Sequence, residues 1–231
     1  MIERAPWEVP SPATRIATER LVLRPPAAAD VLELRRVLRA NAAHLRPWTV
    51  APAAGEDAIT HAFVSRTVAR YSREWKRGQS FVLLLCPRDD ERRIVGRVTL
   101  GGILRGAFQN AHLGYWIDEK HQGRGLMTEA VRAATTFALG PACLHRVQAA
   151  AMPRNGASQR VLEKAGYRRE GLAARYLHIA SVWEDHVIFS VTAEEWYDGT
   201  SAGGGVVNSA GTSAGGAAWS NETRDWAGKA P

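Results

Sequence analysis

The stretch His121-Gln122-Gly123-Arg124-Gly125-Leu126-Met127-Thr128-Glu129-Ala130 decides how this chain is read, because a strand passes there through a glycine turn straight into a helix. Upstream, Ala111, Leu113, Tyr115 and Ile117 alternate with His112, Gly114, Trp116 and Asp118, which is the period-2 pattern of a strand. Downstream, Leu126, Met127, Ala130, Val131, Ala134 and Ala138 share one helical face. Gly123 and Gly125 flank a single residue between the two elements. Such a turn aims backbone N–H groups at one point, and the positive end of the helix adds to their attraction for an anion. Arg124 offers a nearby cation. The pattern predicts a site for a diphosphate-bearing ligand.

Two common phosphate loops do not fit. A Walker loop ends in Gly-Lys-Ser/Thr, whereas Leu126 and Met127 follow Gly125. A dinucleotide fingerprint needs a third glycine or similar small residue where Thr128 stands, inside an early βαβ unit that this sequence lacks. The stretch instead resembles the acetyl-coenzyme A loop of the GNAT acetyltransferases, Gln/Arg-x-x-Gly-x-Gly/Ala, with Lys120 departing from its first position. The run from Thr18 to Trp196 is similar to the RimJ/RimL-type ribosomal-protein-alanine N-acetyltransferases. The likeness rests on "TERLVLRPP", "NAAHLRPW", "GYWIDEKHQGRGLMTEA", "HRVQAAAMPRNGASQRVLEKAGYRREG" and "RYLHIASVWEDHVIFSV", in that order.

The resemblance implies an α/β (α+β) GNAT fold: a mixed, mostly antiparallel sheet of about seven strands flanked by helices. It implies acetyl-CoA as cofactor, with Tyr115, Trp116 and Ile117 against the pantetheine arm and Gln122, Gly123, Arg124, Gly125, Leu126 and Met127 against the pyrophosphate. The backbone of Tyr115 and Trp116 is the expected contact more than their side chains, which also suit a packed strand. In "PRNGAS", Asn155 reads as a helix N-cap or as a contact to the coenzyme arm, and Ser158 as the hydroxyl beside the sulfur. Ser158 is therefore the candidate catalytic residue, partner of the departing thiolate. Asn41, His44 and Trp48 are implied as walls of the acceptor groove, with Tyr176 from the later motif. His44 as a helix C-cap and Trp48 as a core residue are the alternatives. Asp185 and His186 are neighbours on a strand and point to opposite faces, so they cannot both enter one site.

The general base is not legible. The RimI-type branch carries a Glu and a Tyr where this sequence has Ala150 and Leu162. A terminal α-amine needs less help than a lysine: its pKa is ~7.7–8.0 against ~10.4, a difference of roughly 3 kcal/mol in deprotonation work. That arithmetic favours an N-terminal amine over a lysine side chain, and the resemblance implies that the amine belongs to a ribosomal protein with Ala or Ser first. A small amine (antibiotic, polyamine or amino acid) is the alternative, and a non-catalytic acyl-CoA-binding or ribosome-associated factor is the reading from another class.

Composition sets bounds. A chain of 231 residues that is 45% hydrophobic can bury one good core. Cys86 and Cys143 are too few for a disulfide framework and point to a reducing cytoplasm. No charged segment followed by an apolar one opens the sequence, and no apolar run is long enough to span a bilayer, so a cytoplasmic enzyme without membrane contact is expected. The net charge of +7 suits polyanionic surroundings, but no nucleic-acid motif and no metal-ligand spacing accompany it. A monomer or homodimer is expected. Residues 1–17, with three prolines, read as an irregular extension, 18–197 as the acetyltransferase domain, and 198–231 as a Gly/Ser/Ala-rich disordered tail carrying Trp219 and Trp226.

Overall fold

The computed structural model describes residues 7–50 and 59–199; the tail beyond them, with Trp219 and Trp226, lies outside the described residues. Strands β1 (Ile16–Ala17), β2 (Leu21–Arg24), β3 (Phe81–Pro87), β4 (Gly96–Leu104), β5 (Asn110–Ile117), β6 (Arg146–Ala151), β7 (Arg168–Ile179) and β8 (Val182–Thr192) form one sheet. Its order is β1-β2-β3-β4-β5-β6-β8-β7, so the described sheet has eight strands where about seven were expected. The additional one is β1, too short to show a period. Thr18 makes its turn, with its N–H on the Leu21 carbonyl (2.8 Å) and its Oγ1 accepting from the Leu21 N–H (3.0 Å).

Helices α1 (Val31–Ala40), α2 (Ala42–Leu45), α3 (His61–Lys76), α4 (Leu126–Leu139), α5 (Gly156–Ala165) and α6 (Ala193–Gly199) complete the fold. Helix α3 begins at His61 because the Thr60 hydroxyl caps it, accepting from the Phe63 N–H (3.2 Å). Asp30 stands just before α1 but makes no side-chain cap there. Its carboxylate accepts from the Ala27 N–H (2.7 Å) and from both Arg24 Nη atoms (2.7 and 2.8 Å), tying the end of β2 to α1.

Two cores lie on the two faces of the sheet. Ala111 and Leu113 of β5 pack with Val147 and Ala149 of β6 and with Met127, Ala130, Val131 and Ala134 of α4. On the opposite face, Val31, Leu34 and Val37 of α1 and Val64 and Val68 of α3 cover Leu84, Cys86, Ile94 and Trp116. Residues before β1 also join the body: Trp7 lies 3.6 Å from the Arg105 guanidinium, and the Pro10 carbonyl accepts from Trp75 Nε1 (2.7 Å).

All neighbouring strands are antiparallel except β5 and β6, which α4 joins as a parallel pair. Their register runs from Asn110↔Arg146 to Leu113↔Ala149 and stops, while β5 continues to Ile117 and β6 to Ala151. Beyond Leu113 the two strands part. N–H groups of Gly114–Ile117 that point away from β4 have no strand to receive them, and so await another partner.

The β7–β8 hairpin turns through two residues, with Ile179 paired to Val182 and left-handed φ at Ala180 (46°) and Ser181 (69°). The turn is tight, with two L-residues in a region that costs roughly 1–2 kcal/mol each. Replacing the pair by Asn-Gly (Ala180→Asn with Ser181→Gly) is expected to stabilise the fold by about 1–2 kcal/mol. A higher urea midpoint at unchanged m-value would record the gain.

Candidate functional site

The gap between β5 and β6 opens into a cavity of about 1260 Å³. Gly123 (φ 70°) and Gly125 (φ 76°) both take the left-handed conformation, and no atom stands within 4 Å of where a Cβ on Gly123 would lie. Gly125 is the N-cap of α4, which has no side-chain cap. The first N–H groups of α4 are therefore left for a ligand, and Gly125, Leu126, Met127 and Thr128 all line the cavity. Arg160 and Lys164 of α5 line it as well, adding positive charge. A helix N-terminus beneath two left-handed glycines, beside a slot between strands, fits a diphosphate with a long narrow arm.

A brace holds that loop. Glu129, in the first turn of α4, accepts from Thr18 Oγ1 (2.6 Å), the Arg20 N–H (2.8 Å) and Arg20 Nε (2.7 Å). Arg20 Nη1 in turn donates to the Arg124 carbonyl (2.8 Å). Burial works against ionising Glu129, but the bonds from Thr18 and Arg20 outweigh it and hold its carboxyl below the usual range. Arg124 thus contributes its backbone; its side chain is not among the cavity's lining residues.

Tyr115 and Trp116 point to opposite faces. The Tyr115 hydroxyl donates to the Ser158 carbonyl (3.0 Å) and lies 2.9 Å from Ser158 Oγ. Burial raises its pKa, so the phenol stays protonated. Trp116 turns its ring into the core beside α1 and α3, leaving its backbone to the gap. Asn155 is the N-cap of α5, its Oδ1 accepting from the Ser158 N–H (3.1 Å), and it lines the cavity too. The cap fixes Ser158 at the slot.

The residues read as acceptor walls divide. His44, Trp48 and Tyr176 line the cavity. Gln122 Nε2 donates to His44 Nε2 (2.8 Å), Trp48 lies 5.3 Å from the Arg154 guanidinium, and Tyr176 packs against the His186 ring (5.4 Å). Asn41 does not line it. It is 1% exposed, its Nδ2 donating to the Val37 carbonyl (2.9 Å) and its Oδ1 accepting from the Glu119 N–H (2.8 Å), so it seats the segment before the glycine loop against the end of α1. His186 faces the cavity, while Asp185 Oδ1 accepts from the Arg175 N–H (2.8 Å) within the hairpin. Trp183 is exposed at the hairpin end and packs on His178. Sequence reasoning overlooked the Arg20–Glu129 brace, whose members lie 109 positions apart, and the Tyr71–Arg97 contact (2.7 Å) on the cavity floor.

The model of the acetyltransferase (GNAT) domain matches residues 20–168. This chain belongs to the GNAT acetyltransferases. The [Ribosomal protein uS5]-alanine N-acetyltransferase of Escherichia coli (strain K12) is 35% identical over 191 residues, covering 81% of this chain and 95% of that one. Among solved structures, the ribosomal-protein-S5-alanine acetyltransferase from Vibrio fischeri superposes with a TM-score of 0.73 at 29% identity, over 79% of this chain and 98% of that one. Mycobacterium smegmatis RimJ in complex with CoA-disulfide gives the same TM-score and identity, over 79% of this chain and 89% of its own. The acetyltransferase uses acetyl-CoA, which the slot and the uncapped helix of this GNAT domain are shaped to receive. No described helix is long and apolar enough to cross a membrane.

Two substitutions separate filling the loop from loosening it. Gly125→Glu puts a side chain at positive φ and a carboxylate where phosphates would sit, so coenzyme A binding by calorimetry should vanish. Glu129→Gln keeps the shape but weakens the brace, and the coenzyme Kd should rise on the order of tenfold with the fold intact by circular dichroism.

Proposed function

We propose that the acetyltransferase moves the acetyl group of acetyl-CoA to the N-terminal α-amine of a ribosomal protein that begins with Ala or Ser, acting in the cytoplasm. The observation that carries the reading is the 35% identity to the uS5-alanine enzyme along 95% of that enzyme's length, glycine loop and acceptor-side motifs included. The cavity supports it. At about 1260 Å³ it exceeds the ~300–1,000 Å³ of an ordinary small-molecule pocket, leaving room for a peptide end beside the coenzyme arm. Two free cysteines suit a reducing compartment.

Bound acetyl-CoA supplies the thioester. The chain's own groups do the rest. The glycine loop and the first turn of α4 hold the diphosphate. Backbone N–H groups of Gly114–Ile117 that face the gap are placed to hydrogen-bond the oxygen of the reacting carbonyl as it gains charge. When the Tyr115 hydroxyl turns its proton from the Ser158 carbonyl to Ser158 Oγ, the serine accepts that bond and its own proton is left to point at the departing sulfur. Gly114 has no atom within 4 Å of a built Cβ, so the face of β5 that it shares with Trp116 is open at this position. The amine approaches over that opening.

Ser158→Ala should lower kcat on the order of 10²-fold while the coenzyme Kd stays within about twofold. Turnover equal to wild type would remove Ser158 from the chemistry. The acceptor is tested by incubating the enzyme and acetyl-CoA with short peptides bearing free Ala, Ser or Met termini, with N-blocked lysine peptides and with small amines, and locating the acetyl group by mass spectrometry. Transfer to Ala or Ser termini alone is expected; transfer only to a small amine would overturn the reading.

A further inference from the structure

The acceptor half of the cavity holds a proton-accepting group that the family motifs do not point to. On β5 the odd residues face α4 and α5, where Tyr115 meets Ser158, and the even residues His112, Gly114 and Trp116 face α1 and α3. His112 stands two residues before Gly114, on the same side of the strand and next to Gln148 on β6, at the last stretch where the two strands still pair. It lines the cavity. Across β4 its neighbours are Gly101, its register partner, and Gly102, where an added Cβ would lie 3.1 Å from the His112 Cδ2. No side chain on that side engages the ring, and among the described residues neither ring nitrogen has a hydrogen bond. We propose that His112 is the general base of the reaction, taking the proton from the incoming ammonium at an imidazole nitrogen, directly or through one water, as the amine settles over Gly114.

The other histidines of the cavity and its carboxylate are already engaged. His44 is bonded to Gln122, and His121 to Asp118 (3.1 Å) and Arg93 (3.3 Å). His186 is 3% exposed, stacked on Tyr176 with its Nδ1 against the Glu184 carbonyl (3.0 Å). Glu74, the cavity's one carboxylate among the described residues, lies 3.8 Å from Arg70 on the outer helix. Burial first, and then the charge of Arg146 on β6, hold the His112 pKa below its usual 6.5, so the ring is neutral and basic at pH 7. Arg146 from β6 is the charge that acts on it, and the charged or titratable groups that share its cavity include Arg97 from β4, Arg70 and Glu74 from α3, Arg160 and Lys164 from α5, and His186 from β8.

The protons balance. The ammonium gives one proton to His112, which passes it to solvent. The neutral nitrogen then forms the C–N bond as the C–S bond breaks, and its second proton is matched by the one that the thiolate takes up on the Ser158 side. β5 thus keeps base and acid on opposite faces, each reaching one side of the reacting carbon.

This inference rests on the acceptor entering over Gly114, not on the acceptor being a peptide. It is therefore tested on whichever amine the wild-type enzyme acetylates, so that failure of the peptide reading leaves the test standing. kcat/KM is measured from pH 5 to 10 for wild type, His112→Gln and His112→Glu, with coenzyme A affinity and circular dichroism as controls for folding. In wild type the acid limb should follow a group below 6.5. In His112→Gln it should move up to the pKa of the amine itself, ~7.7–8.0 for an α-amine, with kcat/KM at pH 6.5 lower on the order of 10²-fold and coenzyme affinity within about twofold. His112→Glu should recover part of the loss, with the limb shifted below that of wild type. A wild-type limb retained in His112→Gln, or equal activities in the Gln and Glu variants, would overturn the assignment.

Discussion

The functional architecture depends on one interruption: the parallel pairing of β5 with β6 ends at Leu113↔Ala149 while both strands run on. A sheet that stops pairing in its own middle leaves backbone donors and acceptors unmet, and that is costly unless something takes them up. The cores on either side keep the parted strands from closing. Phe189 and Val187 of β8 and Leu162 of α5 are essentially sealed behind β6, and Phe81, Leu83 and Val98 are sealed behind β5. The slot is thus a fixed feature of a packed molecule, with its polar lining facing the space where an acyl-pantetheine arm fits.

Everything that handles the coenzyme is arranged around that slot by local rules. The glycines pass the chain from β5 into α4 at φ values that only glycine takes without strain, which leaves the helix end uncapped and open to an anion. The brace from Thr18 and Arg20 to Glu129 then fixes the turn from outside, so that its geometry does not wait for the ligand. The alternation of β5 separates the chemistry. One face carries the tyrosine–serine contact, the other an open glycine and an unengaged histidine, and the proposed mechanism assigns the first to the leaving sulfur and the second to the incoming amine.

Much of this was legible before any coordinates. The loop, the strand before it and the helix after it are written in period and glycine spacing, and Asn155 caps α5 as its place before that helix suggests. What was not legible came from pairings between distant positions. Ile16 and Ala17 are too few to show a strand's period, yet they pair with Leu23 and Val22. Asn41 sits in a motif that reads as an acceptor wall, but its amide is consumed by Val37 and Glu119, and only the fold brings residue 119 to it. Arg20 stands just before β2 and Arg24 ends it, and nothing in the sequence says that one meets Glu129 and the other Asp30. The role of His112 depends on where the strands part, which no periodicity marks.

Amide hydrogen exchange of the free enzyme and of its coenzyme A complex tests this account most directly. In the free enzyme the amides of Gly114–Ile117 that face the gap should exchange quickly beside slow neighbours bonded to β4, and those of Leu126–Thr128 should also be fast. Saturating coenzyme A should slow both sets together while leaving β2 and β3 unchanged. Protection confined to the α4 turn, with none gained along Gly114–Ile117, would contradict the claim that the coenzyme arm takes the place of the missing strand pairing.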